Sequence, residues 1–485
     1  MFDTMDTLIG SVNLRSKILV AITHFGTKNE IYLEKLLGEY RSMKRYEVDI
    51  VVLSNIPRTY DVDVEVRVGL PTKDPWSLPF GYKELFSTRS ADYDYFIYSE
   101  DDTLIKEANI DAFIEETVNL PEDYIAGFMH FEIAPDGVKN YPGMHSHYHW
   151  DPESVMRIGD SIYAYHSNEH SACFILTKWQ LRKAIDSGGF MLPPRRGKYD
   201  MLVTASTEPY SSCGMKKIVC VSRFDEFCLH HLPNVYCGIL GSDISIVMNE
   251  IKLLISYGSE PNLILRGPLF KPFPLRDGDS RIKIYYENLR NDVLNCVPPE
   301  AHRVLSVGCG CGTTEAELVK RGCEVVGIPL NSIIQTTAER KGITMVSADF
   351  ELALKEIIGQ KFDYIVILDI LQHMPDPEKL LRSFRVFLRV GGTMLVSVPN
   401  WNYFGTLRKR LSSEGRQGLE CRSTRRDKGV HRTTKNQVSD WLHKSGLVSI
   451  KDRSVAVAKF NKISKFSCGI LHSNCCQKLL ISGRK

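Results

Sequence analysis

Residues 303–312 of the 485-residue chain are RVLSVGCGCG, and this stretch decides the fold of the second half. The apolar segment RVLSV predicts a β-strand that leads directly into Gly308, Gly310 and Gly312, and a helix is predicted to follow. A tight turn from strand to helix needs residues without Cβ where the backbone approaches a ligand closely. The start of the helix offers free backbone N–H groups. The stretch therefore predicts a ligand-binding loop at the edge of an α/β sheet.

The glycine spacing alone does not identify the ligand, because dinucleotide-binding proteins use a similar GxGxxG loop. Downstream segments carry more information. A helix is predicted over 281–295, and further strands are predicted at 324–328, 344–346, 362–368, 394–398, 448–452 and 478–482. Strands that alternate with amphipathic helices indicate a largely parallel sheet that is covered on both faces.

Residues 362–400 have the sequence FDYIVILDILQHMPDPEKLLRSFRVFLRVGGTMLVSVPN. This block resembles the "LEHLPDP … L(K/R)PGG … SxPN" pattern of class I S-adenosylmethionine-dependent methyltransferases, and HRTT at 431–434 resembles their later "HxRxFT" stretch. The resemblance covers 281–485 and implies a Rossmann-like domain with S-adenosylmethionine as its cofactor. It also implies that the cofactor is bound by Gly308, Cys309, Gly310, Gly312, Asn331, Asp349, Phe350 and Asp369.

Three positions depart from this family pattern. Ser306 replaces the usual acid at the end of the first strand, Pro329 replaces the ribose-binding acid after the second, and Gln372 replaces the usual Glu. Loss of the ribose carboxylate removes charge-assisted hydrogen bonds, which are the stronger kind. Either Asn331 takes over as a hydrogen-bond partner and cofactor binding is retained, or the domain has lost catalysis.

His373 directly follows the fourth predicted strand, at the carboxyl edge of the sheet where ligands bind. We predict a catalytic role for it, as the base that takes a proton from a hydroxyl acceptor or as a wall of the methyl site. A histidine at a helix start that makes only a structural hydrogen bond is the alternative.

In the first half, an apolar predicted strand ends in an acidic triplet within YDYFIYSEDD, residues 93–102. Carboxylates at the end of a strand commonly coordinate Mg²⁺ or Mn²⁺, and such an ion in turn binds a diphosphate. A surface turn or a cluster at a helix N-cap would explain the same residues without any function. Strands at 17–23, 48–54 and 64–68 precede the triplet, so this half is also predicted to be α/β.

The triplet resembles the DxD-type motif of GT-A glycosyltransferases, in the EDD form of the N-acetylglucosaminyltransferase I family. Residues 17–240 are similar to bacterial glycosyltransferase-like proteins with stretches such as NEHSACFILT, SGGF, KYD and HHLPN. The resemblance implies a nucleotide-sugar donor and a Mn²⁺ or Mg²⁺ ion bound by Glu100, Asp101, Asp102 and His231. The catalytic base that an inverting transfer needs is predicted to be Asp200, with Glu169 and Glu208 as alternatives.

Two further stretches were weighed for ligand binding. MHSHYHWD at 144–151 presents alternate histidines, which could bind zinc or nickel, and an acceptor loop rich in aromatic and imidazole rings is the favoured alternative. The basic stretch 408–435 could hold an anionic acceptor or contact an anionic membrane surface peripherally, and a solvated loop explains it equally well.

Composition limits the remaining possibilities. A net charge of +3, from 61 basic and 58 acidic residues, argues against binding to nucleic acid. Thirteen cysteines without any CxxC pattern predict reduced thiols in a cytoplasmic protein. No signal peptide or membrane span is predicted.

We therefore expect two α/β domains. The first, residues 1–265, is GT-A-like and binds a nucleotide-sugar; residues 266–280, which contain three prolines, form a linker; and residues 281–485 form the class I methyltransferase. The expected function is metal-dependent sugar transfer onto a glycan-type acceptor plus O-methylation, as in surface polysaccharide synthesis. The alternative is a methyltransferase of a small molecule or protein whose first half only binds substrate.

Overall fold

The computed structural model describes residues 15–260, 262–264, 266–270, 279, 281–405, 431–461, 464 and 471–485. The chain packs into two compact units. Unit 1 consists of Met1–Gly143 and Glu169–Cys237, and unit 2 consists of Met144–Asn168 and Gly238–Lys485. Two segments that precede the expected linker thus pack with the second unit. The domain boundary within residues 266–280 remains a prediction.

The strands follow one another along both units. In chain order they are β1 (Ser16–His24), β2 (Tyr46–Ser54), β3 (Glu65–Val68), β4 (Tyr95–Glu100), β5 (Thr103–Leu104), β6 (Tyr124–Ala126), β7 (Met129–Ile133), β8 (Lys139–Tyr141), β9 (Trp150–Ile158), β10 (Ser161–His166), β11 (Cys173–Thr177), β12 (Lys216–Cys220), β13 (Cys228–His231), β14 (Ser242–Asp243), β15 (Arg303–Cys309), β16 (Glu324–Pro329), β17 (Thr344–Met345), β18 (Phe362–Leu368), β19 (Leu388–Pro399), β20 (Val448–Asp452) and β21 (Lys478–Arg484).

The helices are mostly short and connect these strands. In chain order they are α1 (Glu30–Ser42), α2 (Tyr82–Thr88), α3 (Glu107–Thr117), α4 (Lys178–Asp186), α5 (Met201–Ser206), α6 (Glu208–Ser211), α7 (Ile244–Ser259), α8 (Asn291–Leu294), α9 (Thr313–Lys320), α10 (Ser332–Glu339), α11 (Phe350–Glu356), α12 (Pro377–Arg385), α13 (Lys435–Lys444) and α14 (His472–Cys475).

The main sheet of unit 1 has the strand order β11-β4-β1-β2-β3. Strand β1 pairs in parallel with β2 and β4, β2 pairs in parallel with β3, and β11 runs antiparallel to β4. In β1 the run from Ile18 to Ile22 is completely buried, as expected for a parallel strand with both faces covered. The structure confirms the mixed α/β character and the largely parallel sheet.

Unit 1 also contains short strands that were not predicted. Strand β13 pairs in parallel with β7 and antiparallel with β5, β7 pairs antiparallel with β8, and β12 pairs in parallel with β6. The pairing of β13 with β5 places His231 opposite Thr103, next to the acidic triplet. Strands of two to five residues carry too little periodicity to be recognised in a sequence.

Unit 2 is built on a seven-stranded sheet with the order β17-β16-β15-β18-β19-β21-β20. The first five strands are parallel, and β21 is antiparallel to both β19 and β20. Numbered within the sheet, the parallel part has the order 3-2-1-4-5, which is that of the Rossmann fold. The predicted Rossmann-like architecture is confirmed, and the predicted strands at 362–368 and 448–452 have the observed bounds.

The helix predicted over 281–295 is wrong for most of its length. Only Asn291–Leu294 is helical, and residues 281–290 form an irregular segment that lies on the glycine loop. The backbone amides of Tyr285 and Tyr286 donate to the carbonyl of Ser146, and the carbonyl of Tyr285 accepts from Cys311. These tertiary hydrogen bonds satisfy backbone groups that a helix would have paired internally.

Two sequence expectations about the environment can be compared with the described residues. The cysteines described there are free, in agreement with the absence of a disulfide pattern. Within the same residues, no helix combines the length and the apolar character that crossing a membrane requires.

Candidate functional site

The glycine loop of unit 2 has a shape that only glycine allows at two of its positions. Gly308 and Gly312 have φ angles of 78° and 70°, in the left-handed region. A Cβ on Gly308 would lie 2.8 Å from Ile370 Cγ2, and one on Gly312 would lie 2.4 Å from Ile343 Cδ1. The loop therefore owes its glycines to backbone conformation and close packing together.

The third glycine lies directly under the segment 281–290. A Cβ on Gly310 would lie 2.3 Å from the carbonyl oxygen of Tyr285 and 3.3 Å from Glu287 Oε1. The amide of Cys311 donates to the same Tyr285 carbonyl over 2.7 Å. This segment, which sequence analysis assigned to a helix, thus supplies one side of the site.

The loop lies at the point where the strand order of the sheet reverses. Strand β15 lies between β16 and β18, so the connections leaving their carboxyl ends go to opposite sides. In open α/β sheets this point forms a crevice in which ligands bind. The geometry identifies the carboxyl ends of β15 and β18 as the candidate site of unit 2.

Asp369 follows β18 at this crevice, and its charge is fully compensated. Its carboxylate is 3% exposed, contacts Lys478, lies 3.4 Å from Arg290 Nη1 and accepts a hydrogen bond from Ser397 Oγ at 2.9 Å. Burial alone would raise the pKa of Asp369, but Lys478 and Arg290 hold it well below its usual range. The predicted cofactor residue is a buried anion in an ionic network, and its contact with a cofactor remains a prediction.

Lys283 and Glu287 form a second buried pair beside the loop. Lys283 Nζ donates to Glu287 Oε1 at 2.5 Å and to the carbonyl of Leu368 at 2.8 Å. Burial would lower the pKa of Lys283, but the carboxylates of Glu287 and Asp369 outweigh it and raise the pKa. Sequence analysis missed this pair because it assigned the segment to a helix outside the site.

Ser306 takes the place of the expected acid and is hydrogen-bonded to another acid. Its hydroxyl donates to Glu315 Oε1 over 2.6 Å. Glu315 belongs to α9, the helix after the glycine loop, and only 7% of its surface is exposed. A carboxylate is therefore present at the end of the first strand of the sheet, although it comes from the following helix.

Asn331 and Asp349 act as helix N-caps. Asn331 Oδ1 accepts from the amides of Ile333 and Ile334, and its Nδ2 donates to the carbonyl of Trp150 at 3.2 Å. The Asp349 carboxylate accepts from the first-turn amides of α11. These bonds account for both side chains structurally. The predicted contacts of Asn331, Asp349 and Phe350 with a cofactor remain predictions.

His373 lies near the carboxyl end of β18, and its ring is buried. The imidazole is stacked on Phe270 at a centroid distance of 4.9 Å, and neither ring nitrogen has a hydrogen-bond partner among the described residues. Burial lowers the pKa of His373 to about 4. The ring is thus neutral at pH 7, and both the catalytic role of His373 and its structural alternative remain predictions.

The acidic triplet of unit 1 lies at the carboxyl end of β4, beside the end of β1. Asp101 Oδ2 lies 2.5 Å from His24 Nδ1, and its Oδ1 accepts from Asn29 at 2.8 Å. Asp102 Oδ2 is 3.5 Å from His231 Nε2, whereas its buried Oδ1 has no hydrogen-bond partner among the described residues. Strand order reverses here too, because β1 lies between β2 and β4.

Two members of this cluster have strongly altered pKa values. Burial, together with Asp102 and Asp101, raises the pKa of Glu100 to about 8. Burial would lower the pKa of His231, but Asp102 and Glu132 raise it to about 9. His231 Nδ1 is 2.6 Å from Glu132 Oε1.

The described side chains around the triplet do not form a ready-made metal site. Within the described part of the chain, no group of three or more His, Cys, Asp or Glu side chains is arranged to hold a metal. Metal binding by Glu100, Asp101, Asp102 and His231, or by the histidines at 145–149, remains a prediction.

The three candidate bases of unit 1 have different surroundings. Asp200 caps α5 by accepting from Val203 N at 3.0 Å, and its charge contributes to the raised pKa of Glu100. Glu208 is fully buried between Lys83 and Arg195. Among the three, the surroundings of Asp200 leave it most accessible, and its catalytic role remains a prediction.

Sequence analysis missed a buried basic group near the triplet. Lys217 is 2% exposed and donates to the carbonyl of Glu169 and to Ser171 Oγ. Burial lowers the pKa of Lys217 to about 8 and lowers the pKa of His130 well below its usual value. His130 is stacked on His231 at 5.8 Å. These residues lie on separate strands, so no local spacing reveals them.

The histidine stretch of unit 2 has a packing role at one position. The His149 ring lies parallel to Tyr285 at a centroid distance of 4.1 Å, and its Nδ1 contacts the carbonyl of His147. Most of the basic stretch 408–435 lies outside the described residues; of its described members, Arg432 lies over the Trp401 ring.

Comparison with known proteins relates the chain to methyltransferases. A family model described as methionine biosynthesis protein MetW matches residues 289–421. A ubiquinone biosynthesis O-methyltransferase of Coxiella burnetii is 30% identical over 106 residues, 21% of this chain and 44% of the relative. That of Marinobacter nauticus is 29% identical over 170 residues, 34% of this chain and 69% of the relative.

Among solved structures, an S-adenosylmethionine-dependent methyltransferase from Mesorhizobium loti is 20% identical, covers 43% of this chain and 99% of that chain, and has a TM-score of 0.29. The chain spans less than half the length of the Coxiella burnetii relatives that it matches.

Proposed function

We propose that unit 2 is an S-adenosylmethionine-dependent methyltransferase that methylates a hydroxyl group. The observation that carries the proposal is the position of the glycine loop, at the strand-order reversal of a Rossmann-like sheet. Sequence similarity to O-methyltransferases supports the reaction type. The residues present also fit the cofactor, because acidic and basic groups flank the glycine loop.

When bound, S-adenosylmethionine supplies an electrophilic methyl group on a sulfonium. The chain's own task is to align the acceptor oxygen and to remove its proton. His373 is suited to the second task, because its imidazole is neutral and both nitrogens lack partners among the described residues. Phe270 fixes the plane of the ring by stacking on it.

Binding of S-adenosylhomocysteine to the full-length protein tests this proposal. Gly310→Ala places a Cβ against the Tyr285 carbonyl, so we expect affinity to fall roughly tenfold or more, ~1.4 kcal/mol or above. Gly38→Ala is the matched control, because its Cβ meets nothing within 4 Å. Isothermal titration measures both. Absence of binding by the unaltered protein would contradict the assignment.

For unit 1 we propose sugar transfer from a nucleotide-sugar to a glycan-type acceptor, so that the chain is bifunctional in surface polysaccharide synthesis. The carboxyl ends of β1 and β4 support this proposal. A buried carboxylate oxygen of Asp102, which has no partner in the described part of the chain, lies there at the reversal of strand order. A nucleotide-sugar donor, a cytoplasmic location and peripheral contact with an anionic membrane all belong to this proposal. In the alternative, unit 1 only binds the substrate of unit 2.

A thermal-shift screen of nucleotide-sugars, with and without Mn²⁺ or Mg²⁺, tests the proposal for unit 1. We expect one donor to stabilise the protein and Asp102→Asn to remove that effect. Asp225→Asn, at an exposed position, serves as the control. Stabilisation by a donor only when Mn²⁺ or Mg²⁺ is present would support the metal-binding prediction. If no donor stabilises the protein, the transferase proposal fails and the substrate-binding alternative gains weight.

A further inference from the structure

Glu315 is a buried carboxylate without a counter-ion among the residues that the structure describes. Its surface is 7% exposed, and its hydrogen-bond partner in the structure is the neutral hydroxyl of Ser306. No Lys, Arg or His of the described residues forms an ion pair with it. A buried charge lowers stability unless it is paired, so this side chain calls for an explanation that the fold alone does not give.

The other carboxylates at this edge are compensated by cations. Glu287 is paired with Lys283 at 2.5 Å, and Asp369 contacts both Lys478 and Arg290. Glu315 therefore stands apart among three acids that influence one another electrostatically. Glu315 lies beside the glycine loop, where a ligand is expected.

A lysine near Glu315 has an N–H donor that the described hydrogen bonds do not use. Lys283 uses two of its three N–H donors, on Glu287 Oε1 and the Leu368 carbonyl, and it lies close enough to Glu315 for their charges to interact. An unpaired anion next to an ammonium with a free donor complements a zwitterion. The α-amino-acid end of S-adenosylmethionine is such a group.

We propose that Glu315 binds the α-ammonium of the cofactor's amino-acid end, with Ser306 orienting its carboxylate and Lys283 facing the α-carboxylate. This inference rests on the proposed methyltransferase function. In this chain, the acid expected at the end of the first strand has been replaced by one from α9. The loss of an acid at Ser306 therefore does not imply the loss of cofactor binding.

Glu315→Gln tests the assignment, because glutamine keeps the shape and the acceptor for Ser306 but removes the charge. Titrations use S-adenosylhomocysteine and 5′-methylthioadenosine, which lacks the amino-acid end. We expect the variant to bind S-adenosylhomocysteine roughly 10- to 100-fold more weakly, as for loss of a charged hydrogen bond. Affinity for 5′-methylthioadenosine should be unchanged. Glu317→Gln, on the same helix but paired with Lys320 at the surface, is the control.

A second measurement separates ligand binding from folding. Without ligand, Glu315→Gln should unfold at the same or a higher temperature than the unaltered protein, because an unpaired buried charge is gone. Equal loss of affinity for both nucleosides, a matching loss in Glu317→Gln, or no loss at all would overturn the role of Glu315 while leaving the proposed function standing. If the unaltered protein binds neither nucleoside, the methyltransferase proposal fails first.

Discussion

Glu315 and His373 are both buried polar side chains whose partners in the described structure leave them incompletely satisfied. Such groups lower stability and are retained most readily where a ligand completes them. Their positions could be read from the sequence only in part. His373 lies within a recognisable motif. The importance of Glu315 follows from its hydrogen bond with Ser306, which no spacing rule predicts.

A pH effect on stability is expected at His373. Its folded pKa of about 4 lies below the unfolded value near 6.5, so the unfolded state binds more protons between these values. The free energy of unfolding should therefore fall as pH drops from about 6.5 to 4, and this residue should account for about 2 kcal/mol of the fall. In His373→Asn, the loss of unfolding free energy over that window should shrink, measured by urea unfolding. His302→Asn, at an exposed position, is the control. An equal change in the pH dependence of both variants would contradict the role of His373.

At the scale of elements, the strands of unit 2 were predicted well and the segment before them was not. Strand β18 combines a buried apolar run with clear flanking motifs, so local sequence suffices. Residues 281–290 contain apolar and charged residues at helical spacing, yet tertiary bonds to the glycine loop and to Ser146 determine their conformation. Periodicity reports which residues prefer burial, and it does not report which partner covers them.

The N-caps of unit 2 provide a prediction at this scale. Asp376→Ala removes a cap from the exposed start of α12 and should cost about 1 kcal/mol. Asn331→Ala removes the cap of α10 together with a buried hydrogen bond to the Trp150 carbonyl, so the cost should rise to ~2 kcal/mol or more. Chemical unfolding measures both. If Asn331→Ala weakens S-adenosylhomocysteine binding far beyond its stability cost, a direct cofactor contact gains support.

At the scale of the whole molecule, the two halves of the sequence and the two packed units do not coincide. The motifs of the methyltransferase family begin near residue 281, but unit 2 recruits Met144–Asn168 and α7 from before that point. Family motifs mark the residues around a ligand. They do not reveal segments that pack against these residues without carrying a motif. The mixed α/β character was predicted, whereas these recruited segments were not foreseen.

A truncation tests this organisation. Glu250 of α7 is fully buried and accepts from the hydroxyl of Tyr286 at 2.9 Å. A fragment of 281–485 loses this bond and the one between Trp150 and Asn331. We expect the fragment to be clearly less stable than the same region in the full chain. Hydrogen exchange measures this as weaker protection of the β15 and β18 amides. Equal protection in both would show that the motif-bearing region is self-sufficient.

The interleaving of the two units has a consequence for how the chain is made. Residues 144–168 leave the ribosome before residues 285–286 and α10, which they contact, have been made. Their apolar side chains, Trp150 foremost, must wait while unit 1 is completed by residues 169–237. Contacts so distant in sequence form slowly, and exposed apolar strands meanwhile invite aggregation. Synthesis, more than the finished fold, is therefore the stage at which this protein is most in need of a chaperone.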